Sequence, residues 1–223
     1  CEKPLVLNPW NIDALEEIEQ ESGKQIFNIL QLRLHPAIRD LKKRIEQEQI
    51  SKKYDIDLTY ITSRGHWYQI SWKGNLQKSG GIATNIGVHF FDMLTWIFGG
   101  VENNVVHLLE QDKAAGFLEL EKARVRWYLS LDYTDIPDEM KKQNIRTFRS
   151  IILNDEKFEF SDGFTDLHTR SYEEILNNNG FRLKEAKPSI ETVFTIRNAR
   201  PVGLKGEYHE LCNKAIKGTR HGK

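Results

Sequence analysis

Residues 101–133, VENNVVHLLEQDKAAGFLELEKARVRWYLSLDY, decide the fold class. Strand-type alternation runs through residues 101–109, 116–121 and 123–133, with short polar breaks between them. Residues 147–160 continue the pattern, and Asn154-Asp155-Glu156-Lys157 within them suits a hairpin turn. Strands that follow one another without intervening helices pair antiparallel, because a parallel return needs a long crossover. The expected class is α+β, a predominantly antiparallel open sheet with helices on one face.

Upstream of that run, Gly80-Gly81-Ile82-Ala83-Thr84-Asn85-Ile86-Gly87-Val88-His89-Phe90-Phe91-Asp92-Met93-Leu94 reads as a helix ending at Gly99-Gly100. Asn85, His89 and Asp92 are spaced by four and three, which puts them on one helical face beside Ile86, Phe90, Met93, Leu94 and Ile97. Residues 54–62 alternate as a strand with Ile56, Leu58 and Tyr60 on one side. Earlier still, residues 12–21 are helical with Gly23 as the stop, and residues 25–34 alternate as a strand broken by His35-Pro36. Residues 37–49 form a charged amphipathic helix with Ile38, Leu41 and Ile45 inward. Downstream, residues 172–178, 190–199 and 207–216 carry helical patterns.

Bulk composition limits the function classes. The 223 residues carry 32 Lys+Arg against 32 Asp+Glu, so the formal net charge is zero and nothing favours a nucleic-acid or anionic-membrane partner. Cys1 and Cys212 make neither a disulfide framework nor a zinc spacing, and no apolar stretch approaches the ~20 residues of a membrane span. The expectation is a cytoplasmic protein with reduced thiols. The opening Cys1-Glu2-Lys3-Pro4-Leu5-Val6-Leu7 reads as the middle of a strand-to-loop transition, as in a piece excised from a longer chain.

Three constellations could carry chemistry. On the helix face, His89 could accept a proton at neutral pH with Asn85 or Asp92 orienting it, or it could be a core histidine satisfied by Asp92. A metal would need a third and fourth ligand at recognisable spacing, which the sequence does not offer, so none is expected. Arg64-Gly65-His66-Trp67-Tyr68-Gln69-Ile70-Ser71-Trp72-Lys73-Gly74 combines aromatic faces with cations, suiting a ligand with a planar ring and phosphates. It could equally be a surface hairpin whose aromatics cover the core edge. In Glu2-Lys3-Pro4 the proline biases Lys3 toward extended backbone, either placing a proton-transfer lysine at a strand end or leaving a solvated terminal one.

Together these segments resemble the Gfo/Idh/MocA family of nicotinamide-dependent sugar oxidoreductases. Glu2-Lys3-Pro4 is similar to the family's E-K-P segment, and Asn85-Ile86-Gly87-Val88-His89 to its second catalytic motif. Joined to the Arg64–Gly74 segment, they look most like the branch acting on UDP-N-acetylglucosaminuronic acid. The resemblance implies Lys3, His89 and Asn85 as catalytic residues, with Asn85 standing where many relatives carry aspartate. It also implies Arg64, Tyr68, Lys73 and Asn85 on a UDP-sugar, and Glu2, Lys3 and Pro4 on NAD or NADP.

By the same resemblance, residues 1–50 are the remnant of a Rossmann-like nucleotide-binding domain. Residues 51–223 are then an α+β substrate-binding and oligomerisation domain, pairing into a dimer or tetramer through the sheet face. The activity implied is oxidation of the sugar 3-hydroxyl in bacterial surface polysaccharide biosynthesis. Another sugar or cyclitol, or a non-catalytic assembly module, are the alternatives. No G-x-G-x-x-G fingerprint is present, so the chain as given is expected neither to hold the cofactor tightly nor to turn over.

Overall fold

The computed structural model describes residues 1–48, 52–160 and 165–219. Helix α1 (Pro9–Ser22) starts on a proline and stops at Gly23, whose φ of 64° ends the helix in the left-handed region. Strand β1 (Phe27–Asn28) and a 3₁₀ turn (Gln31–Leu34) lead to α2 (Pro36–Gln47) and β2 (Tyr54–Thr62). Next come the short α3 (His66–Ile70), a 3₁₀ turn (Trp72–Gly74), α4 (Leu76–Ser79), a π-helical turn (Ala83–Gly87) and α5 (Val88–Phe98). Strands β3 (Val101–Leu109), β4 (Lys113–Leu120) and β5 (Ala123–Ser130) follow, then α6 (Asp138–Lys142) and the hairpin of β6 (Thr147–Leu153) and β7 (Glu156–Lys157). The remainder is α7 (Leu167–Leu176), β8 (Phe181–Arg182), α8 (Leu183–Asn198) and α9 (Glu210–Thr219).

The main sheet has the order β3-β4-β5-β2-β6-β7, antiparallel throughout except for the parallel pair β2–β5. Alternation sorts its two faces. Ile56, Leu58, Val125, Trp127 and Leu129 point into one core shared with α1, α2, α5 and α8, while Ile61, Ala115 and Tyr128 join a smaller cluster under α9. The α+β class with a predominantly antiparallel sheet is therefore observed.

Several local expectations change. Residues 25–34 do not form a strand: only Phe27 and Asn28 pair, with Arg182 and Phe181. Ile29, Leu30, Leu32, Arg33 and Leu34 are all buried, so both sides of this segment face packed structure and no half-exposed strand can result. The aromatic segment is not a hairpin but a chain of short helical turns, capped by the Ser71 hydroxyl on Lys73 N–H and the Asn75 side chain on Lys78 N–H. Helix α8 begins at Leu183, not residue 190, and carries Pro188 inside it. The Glu185 carboxylate accepts from Arg182 N–H at 2.7 Å and anchors that start. Helix α2 ends at Gln47, and the expected last residue, Gln49, lies outside the described residues.

Helix α5 is held in one rotation by an ion pair. Arg33 donates through Nε and Nη2 to the two oxygens of Asp92 at 2.9 and 2.7 Å, and Nη2 also reaches Glu185 O at 2.8 Å. Both side chains are almost fully buried, at 5% and 3% exposure. Burial pushes the Asp92 carboxyl up, and the Arg33 charge with its hydrogen bonds pulls it back. Removing one partner of such a pair strands the other in a low-dielectric interior. Asp92→Asn is accordingly expected to cost about 3–5 kcal/mol of stability, read from urea unfolding. A loss below ~1 kcal/mol, the range of exposed pairs, would contradict this assignment.

Candidate active site

The π turn at Ala83–Gly87 organises the site. Such wider turns recur at functional positions because they displace backbone groups from the regular helical ladder. Within this turn the Asn85 carbonyl accepts from Lys3 Nζ at 2.9 Å. Gly87 lets the turn lie against β5: a Cβ there would come within 2.7 Å of both Leu129 Cδ1 and Phe91 Cε2. The Asn85 side chain donates from Nδ2 to the Tyr68 hydroxyl at 2.5 Å, tying the turn to α3. The hydroxyl proton of Tyr68 is then free to point elsewhere.

Lys3 reaches this turn from the chain start, where the Lys3–Pro4 peptide is cis and Ile29 N–H donates to Cys1 O at 2.9 Å. Burial pulls the Lys3 ammonium down from 10.5 to about 8; Glu2 opposes the shift, and Lys73 and Arg64 add to it. Burial likewise holds the His89 imidazole well below 6.5, helped by the charges of Lys3, His168 and Arg149. His89 is therefore a neutral imidazole at physiological pH. Tyr68 is pushed up by burial, partly countered by Asn85 and Arg64.

Lys3, Asn85, His89, Tyr68, Arg64 and Lys73 thus gather around one turn although they are spread over 87 positions of the sequence. The Lys73 ammonium lies 5.7 and 5.8 Å from the ring centroids of Trp67 and Trp72. Glu2 approaches His168 Nε2 at 3.4 Å at the exposed edge. Asp92 leaves this group, since both its oxygens turn to Arg33 and His89 is not its partner. Sequence reasoning missed His168, Arg149 and Arg197, which no local pattern connects to the helix face.

Two cavities meet at Tyr68. One, about 350 Å³, is lined by Ser63, Arg64, Gln69, Asp132 and Tyr133. The other, about 390 Å³, is lined by Lys73, Leu76, Ile82, Leu109 and Arg197. Lys3 and His89 line neither cavity. A third cleft of about 440 Å³ along α1, lined by Glu16, Glu19, Lys24 and Arg182, contains none of the grouped residues and has no part in the site. Among the described residues no cluster of three His, Cys, Asp or Glu is arranged for a metal.

The chain as a whole is similar to known oxidoreductases. The Gfo/Idh/MocA model described as "Oxidoreductase family, C-terminal alpha/beta domain" matches residues 42–138. The WlbA (WbpB) dehydrogenase of Thermus thermophilus, solved with NAD and alpha-ketoglutarate, is 46% identical, with a TM-score of 0.88 over 94% of this chain and 67% of that one. The chain belongs to the Gfo/Idh/MocA oxidoreductase family. A second structure of a Thermus thermophilus WlbA, with NAD and UDP-GlcNAcA, is 45% identical at a TM-score of 0.87 and covers 93% of this chain and 66% of that one. A Bacillus subtilis protein named as an oxidoreductase, YteT, is 28% identical over 100 residues, 44% of this chain and 23% of its own length. The chain thus spans about two thirds of these solved relatives and about a quarter of the curated one.

This family member has a directly testable acid response. His89 takes up a proton near pH 6.5 when unfolded but resists it when folded, so the unfolded state binds more protons on the acid side and stability falls as pH drops below 6.5. Urea unfolding of His89→Gln against the parent chain is expected to show a gap that changes between pH 7.5 and 5 and is constant above about 7. Parallel pH slopes would show that His89 is not buried as a neutral ring.

Proposed function

We propose that this chain is the substrate-domain part of an NAD-dependent dehydrogenase that oxidises the 3-hydroxyl of UDP-N-acetylglucosaminuronic acid. The observation that carries this reading is the desolvated Lys3 ammonium beside neutral His89, bonded to the Asn85 carbonyl at 2.9 Å. Support also comes from the 45%-identical WlbA of Thermus thermophilus, whose complex holds NAD and UDP-GlcNAcA.

Oxidation of a secondary alcohol releases the hydroxyl proton and, from the same carbon, a hydride. A nicotinamide cofactor, when bound, supplies the hydride acceptor. The residues Glu2, Lys3 and Pro4 suit the reacting end of such a cofactor, because they bring a partly dehydrated ammonium next to His89. A phosphate-cradling glycine loop is not in this sequence, so the pyrophosphate end has no counterpart among these residues. The division of residues 1–50 and 51–223 into nucleotide-binding remnant and substrate domain belongs to this proposal, and its boundary falls at residues outside those described.

The two proton carriers divide the work by their pKa directions. Lys3, at about 8, is half neutral near that pH and accepts the hydroxyl proton on Nζ. His89, held well below 6.5, is too weak a base to compete and instead orients the hydroxyl. Asn85 cannot act as a base; it holds Lys3 by its carbonyl and Tyr68 by its amide. Arg64, Tyr68 and Lys73 face the uronate and diphosphate charges. The product, a 3-keto sugar nucleotide, suits a cytoplasmic step of bacterial surface polysaccharide synthesis. Pairing of the chain into dimers or tetramers uses the sheet face that carries Asp55, Asp57, Arg124 and Arg126.

The test is the pH dependence of the complete enzyme. With UDP-N-acetylglucosaminuronic acid, kcat/KM is expected to rise with pH through an apparent pKa near 8. Lys73→Met removes a positive neighbour and should move that limb to higher pH. Lys3→Met should lower kcat by roughly 10²–10⁴-fold. A profile flat from pH 6 to 9, or His89→Ala with unchanged rate, would refute the assignment; faster turnover of a free sugar or cyclitol would replace the substrate.

A further inference from the structure

Arg197 has no role in the reaction as described, although the cleft it lines is shared with Tyr68 and Lys73. The guanidinium sits at the end of α8, partly buried, with Nη2 donating to Asn8 Oδ1 at 2.7 Å and Cζ 5.2 Å from the centroid of the Phe194 ring. Among the described residues it forms no ion pair, and burial alone pulls its pKa down, with no carboxylate acting on it. A dehydrated cation without an anion is unfavourable, and an anionic ligand relieves that cost. Lys73, across the same cleft, also has no ion pair among the described residues. Glu110 is the one acid in the lining, against these two cations.

Between the cations the walls are apolar: Leu76, Ile82, Leu109 and the Tyr68 ring. The backbone at Gly80 and Gly81, with φ of 73° and 75°, forms part of the floor. A volume of about 390 Å³ is in the range of small-molecule sites. Apolar walls with a positive charge at either side match a flat, weakly polar ring joined to phosphates. Arg64 lines the other cavity together with Asp112 and Asp132, so Tyr68 separates the Arg197–Lys73 pair from Arg64.

We propose that the cleft between α4, the β3–β4 turn and the end of α8 holds the nucleoside diphosphate half of the substrate. Arg197 and Lys73 bind its phosphates, and Arg64 is left to the uronate. This rests on the reading of the substrate as a sugar nucleotide, and it assigns a residue, Arg197, that no motif marked. Tyr68 then stands at the junction, in reach of both halves through its shared position in the two cavities.

Calorimetric titration of the complete enzyme with UDP, and separately with N-acetylglucosaminuronic acid, tests the split. Arg197→Gln should weaken UDP roughly ten- to hundredfold and leave the free uronic acid unchanged, with Arg197→Lys recovering part of the loss. Arg64→Gln should do the reverse. Leu109→Trp, which fills the cleft without touching a charge, should also exclude UDP selectively. Arg197→Gln or Leu109→Trp that binds UDP like the parent overturns the cleft assignment, whether or not the variant melts lower. A parent enzyme that binds no UDP yet oxidises a free sugar overturns the substrate reading as well.

Discussion

The buried pair of Arg33 and Asp92 is the constraint on which the site depends. It joins three segments that are distant in the chain: the 3₁₀ turn after β1, helix α5, and through Glu185 O the start of α8. Helix α5 is apolar almost all round, with Phe90, Phe91, Met93, Leu94, Ile97 and Phe98 buried. Apolar contacts are non-directional and would hold such a helix in several rotations. A bidentate carboxylate–guanidinium pair tolerates one. Trp96 and Phe181 pack on the guanidinium at 5.6 and 5.2 Å, so the charge is also covered from water.

That rotation decides what the other polar residues of the helix face. With Asp92 committed to Arg33, His89 lies in the field of Lys3 and Arg149, and the π turn before it holds Lys3 through the Asn85 carbonyl. The site is consequently positive before any ligand arrives. Lys3, Arg64 and Lys73 repel one another, which is one reason Lys3 gives up its proton more easily than a surface lysine. The same repulsion favours an anionic ligand, so binding affinity and proton-accepting ability come from one arrangement of charge.

The strands were legible because each presents one buried and one different face. Residues 123–130 alternate inward Ala123, Val125, Trp127 and Leu129 with outward Arg124 and Arg126, and period two survives in the sequence. The segment 25–34 misled because its alternation is real in composition yet both sides are buried, so pairing is not what satisfies it. The start of α8 was hidden by Pro188, which is read as a break but is accommodated inside the helix. The parallel β2–β5 pair was also beyond reach, since the helices between them and two strands, β3 and β4, separate the partners.

At the site, residue types and spacing identified Asn85 and His89 as a unit, but equal helical spacing also suggested Asp92 as their companion. The ion pair to Arg33 is what takes Asp92 away, and neither that partner 59 residues distant nor the π turn at Asn85 was announced by a sequence signal. Lys3 was legible only through its tripeptide, because its partner is a backbone carbonyl 82 residues away, a group every residue has. Arg197 had no signal at all, for its meaning comes from having no carboxylate beside it among the described residues, in a fold that brings the end of α8 to the wall of a cleft. A buried charge without an ion pair among the described residues is a property of the packed molecule, and reading it requires both the burial and the neighbours.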